Sequence, residues 1–275
     1  MQINLLCFGD VVGRPGRDIT ARALPVLVRR HDIHCVIANV ENAAAGSGLT
    51  AQLHDSFRAC GVNVMTLGDH VYRRSEIIPR LETAGDLVRP ANLPISAPGR
   101  TLAIHETAAG PKVAVLAVLG RLFMKPPTDC PFKAVDRVLA QVPSDVRIIV
   151  VDVHAEATSE KVALGWYLDG RVSVLFGTHT HVPTADERLL PNGTAYITDV
   201  GMTGPYDSVL GRMKDRVLRS MITSLPTPFD VATGDPRLCG ILVSVDSTTG
   251  RATRIERIRV DGEVPPTEGP DGAPD

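Results

Sequence analysis

Five short apolar runs each close on side chains of the kind that hold metal ions. Asp10 follows the run 3–8, and Glu41 with Asn42 follows 35–40. Asp69 with His70 follows 62–67, His154 follows 147–153, and the pair His179 and His181 follows 172–176. Carboxylates and imidazoles suit ions such as Mn, Fe or Zn, and a set this large is enough for two of them. His179 and His181 are two residues apart, so in extended backbone both rings lie on one side. Taken singly, each signal has a plainer explanation: Asp10 as a turn or cap residue, Asn42 as a turn residue, His154 as a hydrogen-bonded structural histidine. Their shared position at strand ends is what makes them one site. In open α/β sheets, groups distant in sequence converge beyond the carboxyl ends of the strands.

The elements that must position these residues alternate as βαβ units do, with short β-rich runs separated by segments of helical period. A Gly/Pro loop at 13–16 follows the first strand, and Asp18 is the expected N-cap of the first helix. Further helices are expected near 51–59, 75–82, 133–140, 159–168 and 211–221. Prolines at 90, 94 and 98 introduce a hairpin of strands 101–106 and 112–119 turning at Gly110-Pro111. A closing hairpin, 240–245 with 253–260, suggests a second layer of sheet. The expected fold class is α/β, a two-sheet β-sandwich core flanked by helices. One domain is expected over 1–262, with a disordered tail at 263–275 because Pro, Gly, Asp and Glu there cannot bury a core.

Composition narrows the partners. Lys plus Arg (29) nearly balance Asp plus Glu (31), so no broad basic field exists to hold a long nucleic acid. A small anion would need local devices instead. The five cysteines are odd in number and widely spaced, which reads as reduced, mostly buried thiols. No apolar stretch could serve as a secretory leader or span a bilayer, so the expected compartment is the cytoplasm and no membrane partner is expected. A homo-oligomer is compatible with the sequence.

Longer motifs sharpen the site: Gly9-Asp10-Val11-Val12-Gly13, Asn39-Val40-Glu41-Asn42-Ala43-Ala44, Arg89-Pro90-Ala91-Asn92, His154 through Lys161, Gly177-Thr178-His179-Thr180-His181, and Asp199 through Pro205. In these the chain resembles the YmdB-like branch of the calcineurin-like metallophosphoesterases over nearly its whole length short of the tail. The resemblance implies α/β/β/α layers, two divalent or mixed-valence ions (Fe or Mn), and a phosphodiesterase that opens 2',3'-cyclic nucleotides, with 3',5'-cyclic ones as a second class. Attack would come from a hydroxide bridging the metals. It further implies Asp10 and His181 on one ion, His154 and His179 on the other, Glu41 bridging, and Asn42 beside it as ligand or substrate orienter. His70 is placed to protonate the leaving oxygen.

One departure stands out, because relatives read Gly-Asn-His where this chain has Gly68-Asp69-His70. Asp69 can still coordinate, but as an anion, giving the site three carboxylates. Glu156 and Asp199 are candidates to support ligands. Arg14, Arg17 and Arg89 are expected in loops on the same side, and Trp166 in the core. Two other readings compete with the phosphodiesterase. One is a nucleotide- or partner-binding regulator with weak catalysis; the other is a phosphomonoesterase of the same fold. An amidohydrolase barrel would place its HxH early and its acid late, the reverse of this order.

Overall fold

Alternation of apolar side chains within each strand builds two sheets that bury both of their faces. The computed structural model describes residues 1–262. The first sheet takes β1 (Gln2–Phe8), β2 (Cys35–Asn39), β3 (Val64–Thr66) and β4 (Leu87–Val88) in parallel order. It continues past β1 with antiparallel β12 (Pro236–Asp246), to which β11 (Gly204–Pro205) and β13 (Ala252–Asp261) pair. The second sheet runs β5 (Ala103–Glu106), β6 (Lys112–Leu119), β7 (Ile148–His154), β8 (Val174–Thr178), β10 (Ala195–Ile197) and β9 (Arg188–Leu189). Its four central strands are parallel, and the two edge strands are antiparallel to them.

One set of alternate residues faces the other sheet: Ile3, Leu5 and Cys7 of β1, Cys35 and Ile37 of β2, against Val113 and Val115 of β6, Val150 of β7 and Phe176 of β8. The intervening residues face helices. Leu6, Phe8, Val36 and Met65 pack with α1 (Gly13–His31) and α2 (Ala51–Ala59) through Ile19, Leu24 and Phe57. On the far side, Leu116, Val151 and Leu175 pack with α4 (Pro131–Leu139) and α5 (Thr158–Leu168). A short 3-10 turn (Ser75–Ile77) leads into α3 (Ile78–Thr83), and α6 (Lys214–Thr223) follows β11. The order is helix, sheet, sheet, helix, as expected for strands that are apolar on both faces.

Four local expectations are corrected. The first helix starts at Gly13, so Asp18 lies inside it, paired with Arg14, and does not cap it. Pro15 is tolerated there because first-turn amides need no helical acceptor. Arg14 and Arg17 are therefore helical, not loop, residues. The closing hairpin extends the first sheet through β1; the second layer comes from the middle of the chain, because β1 offers β12 a long unpaired edge. Trp166 is 53% exposed, on the outer side of α5 near Arg188, and lies outside the core. β4 is two residues long, too short to leave a periodic signal. The expected tail at 263–275 lies outside the described residues. No helix among the described residues is long and apolar enough to cross a membrane.

Candidate metal centre

All eight sequence-nominated side chains meet at the carboxyl ends of the strands. β1, β2 and β3 of the first sheet deliver Asp10, Glu41, Asn42, Asp69 and His70, while β7 and β8 of the second deliver His154, His179 and His181. The cluster thus sits across the top of the inter-sheet core. Three combinations place donor atoms close enough for one ion: Asp69, His154 and His179; Asp10, Glu41 and His154; Glu41, Asp69 and His70.

Around the first of these, His154 Nε2 lies 3.1 Å from Asp69 Oδ1, 3.0 Å from His179 Nδ1 and 3.4 Å from Glu41 Oε1. His179 Nδ1 is 3.5 Å from Asp69 Oδ1. Donors each about 2.1 Å from a shared ion, at angles between octahedral and tetrahedral, stand about 3.0 to 3.4 Å apart. The spacing fits a cation. On the other side, His181 Nε2 lies 3.7 Å from Asp10 Oδ1 and 3.3 Å from Asn42 Nδ2. Asp10 Oδ1 is buried with no hydrogen-bond partner among the described residues, an orphaned oxygen beside the cluster. Such an atom is costly unless a cation meets it.

Hydrogen bonds from behind fix which ring nitrogen is free. Thr178 Oγ1 donates to Asp152 Oδ1 at 2.7 Å, so at 2.8 Å it must accept from His154 Nδ1. That leaves the Nε2 lone pair pointing into the cluster. His181 Nδ1 donates to the carbonyl of Leu210 (3.1 Å), again freeing Nε2. His179 is reversed: Nε2 faces Glu156 Oε2 at 3.3 Å, and Nδ1 points inward. Asn42 is oriented with Oδ1 toward His70 Nδ1 (2.8 Å) and Nδ2 toward Glu41 and His181. A liganding role for Asn42 requires the amide to turn over.

The electrostatics follow from two buried acids, Asp10 and Glu41, and the half-buried Asp69 in one place. Burial, opposed by His154 and reinforced by the charges of Asp199 and Glu41, lifts Asp10 to about 7. Burial works against ionised Glu41 too, but the charge and hydrogen bond of His154 and the hydrogen bond of His70 hold it well below the usual range. Asp69 is held low in the same way, by His154 and His179. His154 is raised despite its burial, because Glu41, Asp69 and Asp10 surround it. The field that favours a proton at this point also favours a metal ion.

Backbone strain is concentrated here. Asp10 (φ 42°), His179 (φ 95°) and His181 (φ 65°) all adopt left-handed conformations, each costing roughly 1–3 kcal/mol and held only where neighbours over-determine them. The neighbours are identifiable. His179 N donates to Asp10 Oδ2 at 2.7 Å. Fully buried Lys161 donates to Asp199 Oδ2 (2.7 Å) and to the carbonyl of Thr178 (2.8 Å), while Asp199 also accepts from Thr180 Oγ1 (2.8 Å) and Gly201 N (2.8 Å). At Gly68 a Cβ would stand 2.3 Å from both Glu41 Oε2 and His154 Nε2, so only glycine lets this turn approach the cluster.

Sequence reading missed the layer beneath. Asn39, Thr66, Asp152 and Thr178 are all buried, and each continues the inward-facing positions of its strand. Asp152 accepts from Thr66 Oγ1 (2.5 Å), Thr178 Oγ1 (2.7 Å) and Asn39 Nδ2 (2.9 Å). The available signal was a polar residue at an inward position of an otherwise apolar strand, clearest in Ile-Ile-Val-Val-Asp-Val-His at 148–154. Lys161 was visible only as part of a motif. Of the arginines, Arg17 donates to the carbonyl of Ala43 behind the Glu41–Asn42 turn, and Arg89 faces a separate cavity.

Comparison with known proteins finds relatives along nearly the whole chain. The family model described as YmdB-like protein matches residues 6–258. A Bacillus subtilis (strain 168) protein named 2',3'-cyclic-nucleotide 2'-phosphodiesterase is 45% identical over 261 residues, covering 95% of this chain and 98% of its own. The crystal structure of a hypothetical protein from Thermus thermophilus superposes with a TM-score of 0.87 at 41% identity, covering 94% of this chain and 99% of that one. That of a phosphatase from Mycoplasma pneumoniae gives 0.89 at 34% identity, with 95% and 94% covered.

Proposed function

We propose, on the footing that this chain belongs to the YmdB-like protein family and is a metallophosphoesterase, that it hydrolyses 2',3'-cyclic nucleotides with two metal ions bound at this cluster. The observation that carries the reading is the gathering of three imidazole lone pairs and three carboxylates in one cluster at the strand ends, with Asp10 Oδ1 otherwise unpartnered among the described residues. One ion would be held by Asp10, Glu41, His181 and, with its amide turned, Asn42; the other by Glu41, Asp69, His154 and His179. Two such ions acidify a shared water and neutralise phosphoryl oxygens. Fe and Mn suit this mixed nitrogen and oxygen donor set.

The chain's own residues do the rest. Glu41 is held ionised at the centre, with Oε2 fixed by His70 N at 2.9 Å. Asp152 and Thr178 hold His154 in the tautomer that donates a lone pair. His70 keeps Nδ1 on Asn42 and Glu41 (2.8 and 3.0 Å), while its Nε2 lies 3.9 Å from Asp69 Oδ2. Burial lowers its pKa, but the hydrogen bond and charge of Glu41 and the charge of Asp69 outweigh that and raise it, which favours the protonated ring that a leaving oxygen needs.

The test is metal analysis of the purified protein combined with turnover of 2',3'-cyclic, 3',5'-cyclic and linear diesters and of monoesters, with His181→Ala as the blank. Metal-dependent opening of 2',3'-cyclic nucleotides, absent in the blank, is expected. A monoester rate exceeding the diester rate would make the enzyme a phosphomonoesterase, and equal activity in the blank would remove the site.

A further inference from the structure

A second polar cavity lies at the edge where β4 and β5 end their sheets, and it shares no lining residue with the metal cluster. Its volume is about 730 Å³, within the usual range for small-molecule sites of roughly 300–1,000 Å³. Three arginines line it: Arg89 just after β4, Arg100 just before β5, and Arg137 on α4. No carboxylate of the described residues does. Arg89 and Arg100 are tied together, since Arg89 N donates to the carbonyl of Arg100 at 2.9 Å.

Arg89 is the decisive residue, because it is only 4% exposed and forms no ion pair among the described residues. A guanidinium removed from water without a counter-charge is costly, and proteins normally pair it. Its Nε donates to the carbonyl of Gly99 (3.2 Å) and its Nη1 to that of Pro90 (2.9 Å). Those bonds satisfy two of about five N–H donors and none of the charge. Arg137 donates once, from Nη2 to the carbonyl of Ala91 (2.8 Å), and it too lacks an acidic partner among the described residues. The acid beside it, Asp136, is engaged by Arg171 and Tyr167.

We propose that this cavity binds a small phosphate ester, its phosphate held by the guanidinium groups of Arg89, Arg100 and Arg137. Planar forks match phosphate oxygens in paired hydrogen bonds. Three positive charges fit a phosphate dianion better than a single carboxylate. Ile95, Leu102 and Ile104 also line the cavity and would take the organic part of the ester. This site stands independently of the chemistry proposed for the metal cluster.

The test is calorimetric titration of the metal-loaded full-length protein with AMP, inorganic phosphate and acetate in chloride buffer. Two equivalents of AMP are expected. Arg100→Ala with Arg137→Ala, both exposed positions, should remove one equivalent or weaken it at least ten-fold while leaving diester turnover unchanged; His181→Ala should remove the other. AMP should bind the arginine site more tightly than inorganic phosphate. The proposal is overturned by an arginine double variant whose stoichiometry and affinities match the wild type within two-fold. Acetate binding as tightly as phosphate would overturn the ligand class.

Discussion

Replacing Thr178 by Val tests whether the ring nitrogens of the cluster are set from below. The side chain is fully buried, and its hydroxyl both donates to Asp152 Oδ1 (2.7 Å) and accepts from His154 Nδ1 (2.8 Å). Val keeps the shape and deletes the hydroxyl, stranding one acceptor and one donor in a dry layer. At about 1–3 kcal/mol for each of the two unsatisfied buried groups, the metal-free protein should lose roughly 2–6 kcal/mol of stability. The second effect is specific. With nothing to receive the Nδ1 proton, His154 is free to carry it on Nε2, where it blocks the lone pair facing Asp69 and His179. Loss of a group that orients a ligand costs about 10- to 100-fold in metal affinity. Thr178→Ser separates the two effects, because it restores the hydroxyl and gives up one methyl, about 0.8 kcal/mol of burial. Mn affinity by chelator competition, alongside thermal melts without metal, reads both quantities. Val binding Mn within two-fold of the wild type, or Ser losing as much affinity as Val, would refute the reasoning.

Three further outcomes are expected. His70→Ala should lower turnover of a cyclic nucleotide by roughly 10²–10⁴-fold with metal content retained; the loss should be far smaller on bis-p-nitrophenyl phosphate, whose nitrophenolate leaves without a proton, and equal losses on both substrates would remove His70 as the acid. Asp69→Asn keeps an oxygen 3.1 Å from His154 Nε2 but deletes one of three negative charges, so metal affinity should fall at least several-fold; unchanged affinity and turnover would show that the anion at this position does nothing. Asp86 is held below the usual carboxylate range: burial opposes this, but a 3.0 Å hydrogen bond with His54 and the charges of His54 and Arg58 prevail. Its folded pKa is depressed, so its stabilisation is complete above the unfolded value of about 4 and is lost as pH falls through the folded value. Asp86→Asn should therefore cost about 1–2 kcal/mol near pH 7, a gap that closes under acid in urea melts; a gap that stays constant down to pH 3 contradicts the assignment.

Ligand chemistry and the succession of strands along the chain are local properties, and the sequence carries both. Asp10, Glu41, Asn42, Asp69, His70, His154, His179 and His181 were all legible because each directly follows or ends an apolar run, and parallel strands put such positions on one edge. The sandwich was legible from the same runs, which are apolar on both faces. Helix starts were less so: Pro15 and Gly16 look like a loop, yet the first turn of α1 accommodates both. The destination of the closing hairpin depended on which strand left an edge open, a property of the assembled sheet and not of residues 236–261.

Tertiary structure alone decided what holds the ligands in place. Asp152 is separated from Asn39 by 113 residues and from Thr66 by 86, and nothing in the chain announces that their side chains meet. Burial then converts that meeting into a fixed tautomer for His154, since a dry carboxylate takes every proton offered to it. The unpaired charge of Arg89 likewise emerges only once the chain has folded, because a guanidinium is without a counter-ion only relative to what packs around it. Residue types and spacing pointed to a metal site here and to the side chains that would hold it. Which nitrogen of each ring faces them, and where a second anion could sit, were settled by packing between the sheets and at their edge.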